Sequence, residues 1–343
     1  MISAERWRRA GDVLEADPLD PARTPGPTTA PRARATCIPG ESLARFLRGE
    51  VWVPSRLIES GDHREMPRHR ILILALLGAL ALATRSLADE RPNLIWILAD
   101  DLGYGEIGCQ GQQVIRTPRI DRMAREGMRF TQFYAGATVC APSRSVLMTG
   151  LHHGHTRVRG NAGAKNPIAQ ALRPEDLTVA EMLQSAGYRT ALIGKWGLGD
   201  VGPAASGLPR KQGFDEFFGY LNQQHAHNHF PAFLWRDERK EVLPNVVTAI
   251  GDSGAGYATQ AKVYADDLFA AEALKFVEAN RERPFFLFWS MVTPHASNGR
   301  ARALGDGAHA PDYDGYDQQP WPRPDKGHAA MITRLDQRVG ELL

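Results

Sequence analysis

The chain has 343 residues, 43% of them hydrophobic, and its 41 Lys and Arg nearly balance its 39 Asp and Glu. The charge balance favours no charged partner, and the sequence has no basic block that would indicate nucleic-acid binding. The three cysteines, Cys37, Cys109 and Cys140, form neither a disulfide framework nor a Cys-x-x-Cys zinc or redox motif. We therefore expect a protein with a sizeable core and no nucleic-acid partner.

Residues 1–65 show no sustained hydrophobic period, and five prolines fall between Pro18 and Pro31. This composition predicts a disordered extension. A signal-peptide pattern begins only at Met66, and such a pattern belongs at the start of a chain. We therefore interpret residues 1–65 as a misassigned start, with a cytoplasmic tail before a membrane anchor as the alternative.

Residues 66–88 have the pattern of a secretory signal peptide. Two arginines precede an apolar run at 71–83, and the small residues Ser86 and Ala88 follow it. The run is shorter than the roughly 20 residues that span a bilayer. We predict cleavage after about Ala88, a secreted or periplasmic location, and membrane contact only through this segment. A buried core helix or a membrane anchor is the alternative.

Strand and helix signals alternate along residues 89–343. Apolar runs predict buried strands at residues 94–99, 188–194 and 285–292. Capping residues and apolar periodicity predict helices at residues 117–127, 178–187 and 264–280. This alternation predicts an α/β fold with a mainly parallel central sheet.

Polar residues follow three of these strands. Asp100 and Asp101 follow the first strand, Lys195 follows the second, and His295 follows the third. Taken singly, each could be a turn or surface residue. Because the carboxyl ends of parallel strands meet at one edge of a sheet, we expect them to lie together in a ligand site.

Cys140 stands in the stretch TVCAPSRSVLMTG, residues 138–150. Pro142 and the apolar residues after it predict that a helix begins just after residue 140. Cys140 would then lie at a helix N-terminus, where free N–H groups attract an anion, with Arg144 in the first turn. A small buried free thiol is the alternative.

Three motifs resemble signatures of the formylglycine-dependent sulfatases, and they stand in the order that this family has. CAPSR (140–144) resembles the Cys-x-Pro-x-Arg modification signature, and GYRTALIGKWGLG (187–199) resembles the second signature. PNLIWILADDLGYG (92–105) resembles the opening strand with its paired metal aspartates. The resemblance implies an arylsulfatase-like member of the alkaline phosphatase superfamily, with a three-layer α/β sandwich.

The resemblance also implies how Cys140 would act. A formylglycine-generating enzyme, as a partner, would oxidise it to formylglycine, and the aldehyde would hydrate to a gem-diol. One hydroxyl would attack the sulfur of a small-molecule or polysaccharide sulfate ester, and the alcohol would leave. The second hydroxyl would then lose its proton, so that the C–O bond breaks, sulfate is expelled and the aldehyde re-forms.

Further roles follow from the same resemblance. Asp100, Asp101 and the modified Cys140 would bind Ca²⁺, with Mg²⁺ as the alternative, through oxygen ligands. Lys195 would bind the sulfate or the diol, and Arg144 would steady the modified side chain. His295 would bind substrate and protonate the leaving alkoxide.

The sequence departs from the family pattern after the signature lysine, where Gly197 replaces the usual histidine. The nearby stretch NQQHAHNHFP offers His225, His227 and His229. We expect His227 or His225 to supply the missing imidazole and Asn222 to contact substrate. A solvated loop or adventitious metal binding is the alternative.

A second departure concerns the metal ligands that the family places on a strand after the helix near residues 331–343. The sequence ends at Leu343, so we expect residues 89–343 to form the N-terminal part of a sulfatase catalytic domain. The sheet would be incomplete at the C-terminus and would have an unpaired edge. A phosphate or phosphonate ester hydrolase of the same superfamily, or a catalytically inactive fragment, is the alternative.

Overall fold

The computed structural model describes residues 91–162 and 166–343. The predicted signal peptide at 66–88 and the extension at 1–65 lie outside these ranges. No helix within the described ranges combines the length and the apolar character needed to cross a membrane.

A six-stranded mixed sheet forms the centre of the described region. The strands are, in chain order, β1 (Leu94–Asp100), β2 (Arg189–Lys195), β3 (Glu216–Tyr220), β4 (Phe233–Arg236), β5 (Arg239–Val242), β6 (Val246–Ala249), β7 (Gly256–Gln260) and β8 (Phe285–Pro294). The order in the main sheet is β1-β8-β2-β3-β4-β5. The first four strands in this order are parallel, and β4 and β5 run antiparallel to their neighbours. β6 and β7 form a separate two-stranded sheet.

Helices cover both faces of the main sheet. They are α1 (Pro118–Glu126), α2 (Cys140–Thr149), α3 (Val179–Ser185), α4 (Gln223–Ala226), α5 (Ala265–Asn280), α6 (Asn298–Leu304) and α7 (Arg323–Leu342). On one face, Phe269 of α5 and Leu335 of α7 share an apolar cluster with Leu287 of β8. On the other face, Met148 of α2 packs in a cluster with Phe288 of β8. The predicted α/β sandwich with a mainly parallel sheet is confirmed.

Strand β8 is the most deeply placed element. Its ten residues are all buried, because it pairs with β1 on one side and with β2 on the other. Strand β1 is an edge strand of this sheet and is half-buried along most of its length. Within the described ranges, the other edge strand of this sheet is β5.

Two predicted helix starts have different outcomes. Thr178 and Glu181 form a capping box at the start of α3, with the Glu181 amide donating to the Thr178 hydroxyl at 3.1 Å and the Thr178 amide donating to the Glu181 carboxylate at 2.8 Å. Thr117 occupies the N-cap position of α1 without a capping bond from its side chain. Its hydroxyl instead accepts from the Gly108 amide at 2.8 Å, which ties the preceding loop to the helix.

Candidate active site

Cys140 is the first residue of helix α2. Val139 before it is extended, at φ −134° and ψ 160°, so the helix begins at Cys140 and its first amides have no helical partner. The Ala141 amide donates to the Asn161 carboxamide at 2.9 Å, which fixes the start of the helix. Cys140 is a half-buried free thiol. It can therefore be reached by a reactant while the helix holds it in place.

Lys195, at the end of β2, joins Cys140 to the end of β1. Its side chain is fully buried, and its ammonium donates to the Asp100 carboxylate. The same Nζ lies 3.3 Å from the Cys140 Sγ. The ends of two parallel strands and the start of a helix therefore meet at one point, as the sequence predicts for this edge of the sheet.

Arg144 ties this cluster to strand β8. Its Nη1 donates to the Lys195 carbonyl and to the Ser290 hydroxyl, each at 2.6 Å. Its Nη2 lies 3.5 Å from the Asp100 carboxylate. Ser290 in turn donates to the Lys195 carbonyl at 2.7 Å. The guanidinium thus holds three elements together from a buried position.

Two buried cations, Lys195 and Arg144, contact the Asp100 carboxylate. Asp100 is buried, which disfavours its charged form, but Lys195 and Arg144 outweigh this cost and hold the pKa of that carboxyl well below its usual range. Two buried cations therefore surround one carboxylate. The ammonium of Lys195, 3.3 Å from the Cys140 Sγ, suits an anionic ligand.

His295 follows the end of β8 and completes the cluster. Its Nε2 lies 3.3 Å from the Asp101 carboxylate. Its Nδ1 lies 2.7 Å from the Ala296 carbonyl, which can only accept, so Nδ1 carries a hydrogen. Ligand atoms of Asp100, Cys140 and His295 all lie within 4.8 Å of one another. A single small reactant could contact all three.

His227 is the histidine of the 222–229 stretch that reaches this cluster. Its ring stacks on His295 at 4.5 Å between centroids and an interplanar angle of 13°. Its Nδ1 accepts a hydrogen bond from the side-chain Nδ2 of Asn298 at 3.2 Å. Burial, and then the charge of Lys195, lower the pKa of His227 to about 3. The ring is therefore a neutral imidazole at neutral pH.

His225 and Asn222 lie apart from this arrangement. The fully buried His225 ring packs between Tyr220 at 4.8 Å and Phe233 at 4.4 Å between centroids. The Asn222 side chain caps helix α4 by accepting from the His225 amide, and it donates to Asp200 at 2.9 Å. The structure thus gives both residues packing and capping contacts, and it brings His227 to the cluster instead.

The structure leaves little room for a side chain at Gly197. Its φ of +88° lies in the left-handed region that favours glycine. A Cβ at this position would lie 1.9 Å from the Gln223 Nε2. A histidine could not enter here unless Gln223 and the local backbone moved.

The donor set at the end of β1 fits a hard divalent cation. Asp100 and Asp101 are consecutive, and a φ of +63° at Asp101 turns the chain immediately after the strand. Asp100 contacts Lys195, and Asp101 contacts His295, so both carboxylates face the same cluster. Carboxylate oxygens are the ligands that Ca²⁺ and Mg²⁺ prefer.

The sequence did not single out Ser290 as part of the site. It is the one hydroxyl residue within residues 285–292 of β8 and is fully buried. A polar residue within such a strand needs a buried partner, which was the available signal. The identity of that partner, Arg144, depends on a contact across 146 positions of the chain.

Comparison with known proteins identifies the class to which this fold and site belong. The sulfatase family model matches residues 92–343, so the chain belongs to the sulfatase family. Arylsulfatase A of Homo sapiens is 44% identical over 151 residues, which are 44% of this chain and 28% of that protein. N-acetylgalactosamine-6-sulfatase of Mus musculus is 33% identical over 244 residues, which are 66% of this chain and 43% of that protein.

Solved structures show the same architecture. The crystal structure of Ps i-CgsB matches with a TM-score of 0.58 and 25% identity, over 74% of this chain and 54% of that chain. The same protein has been solved in complex with k-i-k-neocarrahexaose. The chain spans less than half the length of the two curated relatives above.

Proposed function

We propose that this protein is an arylsulfatase-like sulfuric ester hydrolase that acts through a formylglycine made from Cys140. One observation carries the proposal. Cys140 stands in a Cys-x-Pro-x-Arg motif at the start of a helix, 3.3 Å from the buried ammonium of Lys195. A reactive group at this position would face a sulfate ester in a positively charged environment.

The residues around position 140 would bind and orient the sulfate group. Hydrated formylglycine supplies a hydroxyl nucleophile when Cys140 is modified. Lys195 would contact the sulfate oxygens or the nucleophile as a point charge, and the Cys140 amide at the start of α2 would add a hydrogen bond. Arg144 would hold Lys195 and Asp100 in fixed positions through its three buried contacts.

A divalent cation, Ca²⁺ or in its place Mg²⁺, fits the acidic end of β1. Asp100, Asp101 and the oxygen at position 140 would hold it. Such a cation, when bound, supplies charge stabilisation to a sulfate oxygen. The Asp100 carboxylate is already ionised in the fold, because its pKa is depressed by Lys195 and Arg144 despite burial.

His295 would give a proton to the leaving alcohol. Its Nδ1 is occupied by the Ala296 carbonyl, so Nε2, beside Asp101, is the atom that would donate. His227 lies against the face of this ring as a neutral imidazole. It is our choice for the imidazole that Gly197 does not supply.

The partners follow from the same proposal. Formation of the nucleophile needs a formylglycine-generating enzyme, and the signal-peptide pattern at 66–88 favours a secreted or periplasmic protein. A sugar sulfate is the substrate class we favour. One relative is named for N-acetylgalactosamine 6-sulfate chemistry, and one structural neighbour binds an oligosaccharide.

The test begins with the modification itself. The full chain is expressed with and without a formylglycine-generating enzyme, and the mass of the peptide that contains Cys140 is measured by mass spectrometry. Conversion lowers the mass by about 18 Da. We expect turnover of 4-nitrophenyl sulfate only in the converted preparation, and none in the Cys140→Ala variant. An unconverted cysteine after co-expression, or faster turnover of 4-nitrophenyl phosphate, would contradict the proposal.

A further inference from the structure

A tight turn after strand β8 brings His295 to the candidate site. The His295 amide donates to the Val292 carbonyl at 2.9 Å. The ring that contacts Asp101 and His227 is therefore attached to a short backbone segment. Two buried groups that take no part in the proposed chemistry bind the backbone of this segment.

The first group is the imidazole of His229. Its Nε2 lies 2.7 Å from the His295 carbonyl oxygen, which can only accept, so Nε2 carries a hydrogen and donates. The ring is fully buried and stacks on Tyr264 at 5.8 Å and an angle of 17°. Burial lowers the pKa of His229 to about 3, which keeps the ring neutral.

The second group is the carboxyl of Asp266, near the start of α5. It accepts from the Val292 amide at 3.2 Å, from the Thr293 amide at 2.9 Å and from the Thr293 hydroxyl. The Tyr264 hydroxyl lies 3.2 Å from the same Thr293 hydroxyl. The backbone of Val292 and Thr293 is thus bound to α5, and the carbonyl of His295 is bound to His229.

We propose that His229 is a positioning residue that, together with Asp266, sets where the His295 ring lies relative to Asp101 and the leaving group. The inference rests on the proposed function, because it assigns a role to His295 as proton donor. A displacement of about 1 Å at a reacting group can cost on the order of 100-fold in rate. The hydrogen bond to the His295 carbonyl restrains the backbone from which the ring projects.

Two variants separate the hydrogen bond from the volume of the ring. His229→Gln keeps an N–H donor at similar reach, and His229→Met fills similar space without a donor. Thr190→Val is the control for general loss of stability. It removes a buried hydroxyl that donates to the Gly213 carbonyl at 2.7 Å, at the opposite end of β2 from Lys195. His295→Gln is the reference for loss of the proton donor.

The first measurement compares the rates at which the full chain, with Cys140 converted to formylglycine, hydrolyses two sulfate esters. A 4-nitrophenyl ester has a good leaving group that needs little protonation, whereas a simple alkyl ester needs the acid. We expect His229→Met to lose about tenfold more rate on the alkyl ester than on the nitrophenyl ester, and His229→Gln to bring the ratio of the two rates back toward that of the parent. Thr190→Val should lower both rates equally, if at all.

The second measurement does not depend on turnover. Histidine side-chain ¹H–¹⁵N spectra are recorded for each variant, with the His295 signals assigned through His295→Gln. We expect the His295 signals to move in His229→Met, to return in His229→Gln and to stay unchanged in Thr190→Val. Unmoved signals in His229→Met, or equal effects of Met and Gln at this position, would overturn the positioning role.

The reference variant distinguishes failure of this inference from failure of the proposed function. If His295→Gln discriminates between the two esters but His229→Met does not, the positioning role is wrong while the proton donor stands. If His295→Gln lowers both rates equally, the assignment of His295 as proton donor fails, and the role of His229 in catalysis fails with it.

Discussion

At the scale of single residues, Arg144 is the side chain whose geometry is hardest to replace. It contacts the Lys195 carbonyl, the Ser290 hydroxyl and the Asp100 carboxylate through two nitrogens of one planar group. An ammonium has the charge but not this fork. We expect Arg144→Lys to lower kcat/KM by about 100-fold and to destabilise the fold by about 1–3 kcal/mol, because buried acceptors lose their donor.

Steady-state rates and urea unfolding of the same preparation check this prediction. Arg189→Lys is the matched control, since Arg189 forms surface ion pairs with Asp215 and Glu216 at the far end of β2. That change should alter the free energy of unfolding by less than about 1 kcal/mol. Equal effects of the two substitutions would show that the fork of Arg144 is not needed.

Sequence reasoning at this scale succeeds where a residue follows a regular element. Asp100 and Lys195 could be placed because each ends an apolar strand, and Cys140 because it starts a helix. The partner of Ser290 and the choice of His227 over His225 could not be predicted. The first depends on how helix α2 packs against β8, and the second on which side chain of the short helix α4 and its end meets His295; local pattern encodes neither.

At the scale of elements, the contact between α5 and β8 makes stability depend on pH. Burial outweighs the hydrogen bonds to Asp266 and raises its pKa to about 6. Between pH about 4 and 6, the unfolded chain releases a proton that the folded chain retains. The contribution of Asp266 to stability is therefore full below pH about 4 and is lost as pH rises through 6, by on the order of 1–3 kcal/mol.

Urea unfolding at several pH values checks this sign. The difference in unfolding free energy between the parent and Asp266→Asn should fall from pH 4 to pH 6 by on the order of 1–3 kcal/mol and then level off. Asp252→Asn removes an exposed carboxyl and should follow the parent at every pH. A constant difference between the parent and Asp266→Asn would show that this carboxyl does not titrate in that range.

Sequence prediction at the element scale depends on the length of the apolar signal. Strands β1, β2 and β8 are long apolar runs and were located within about two residues. The strands β4 and β5 are only four residues long each and form a hairpin that the pattern did not indicate. Their pairing with β3 is a tertiary contact rather than a local preference.

At the scale of the whole molecule, alternation of strands and helices was enough to predict the layers but not the surface they leave exposed. Residues 128–134 follow α1 without regular structure and carry large apolar side chains. The exposed fractions are 80% for Met128, 63% for Phe130, 78% for Phe133 and 78% for Tyr134. Contiguous exposed apolar surface of this kind promotes association.

We expect the chain to self-associate through this apolar segment. Replacing Phe133 and Tyr134 together by Ser should shift the chain toward monomer in sedimentation velocity, because it removes two of the three exposed aromatic side chains of residues 128–134. The melting temperature should change little, since neither side chain is buried. Val242→Ser, at a single exposed position on β5, is the control and should leave association unchanged. If the double variant associates as strongly as the parent, the association surface lies elsewhere on the molecule.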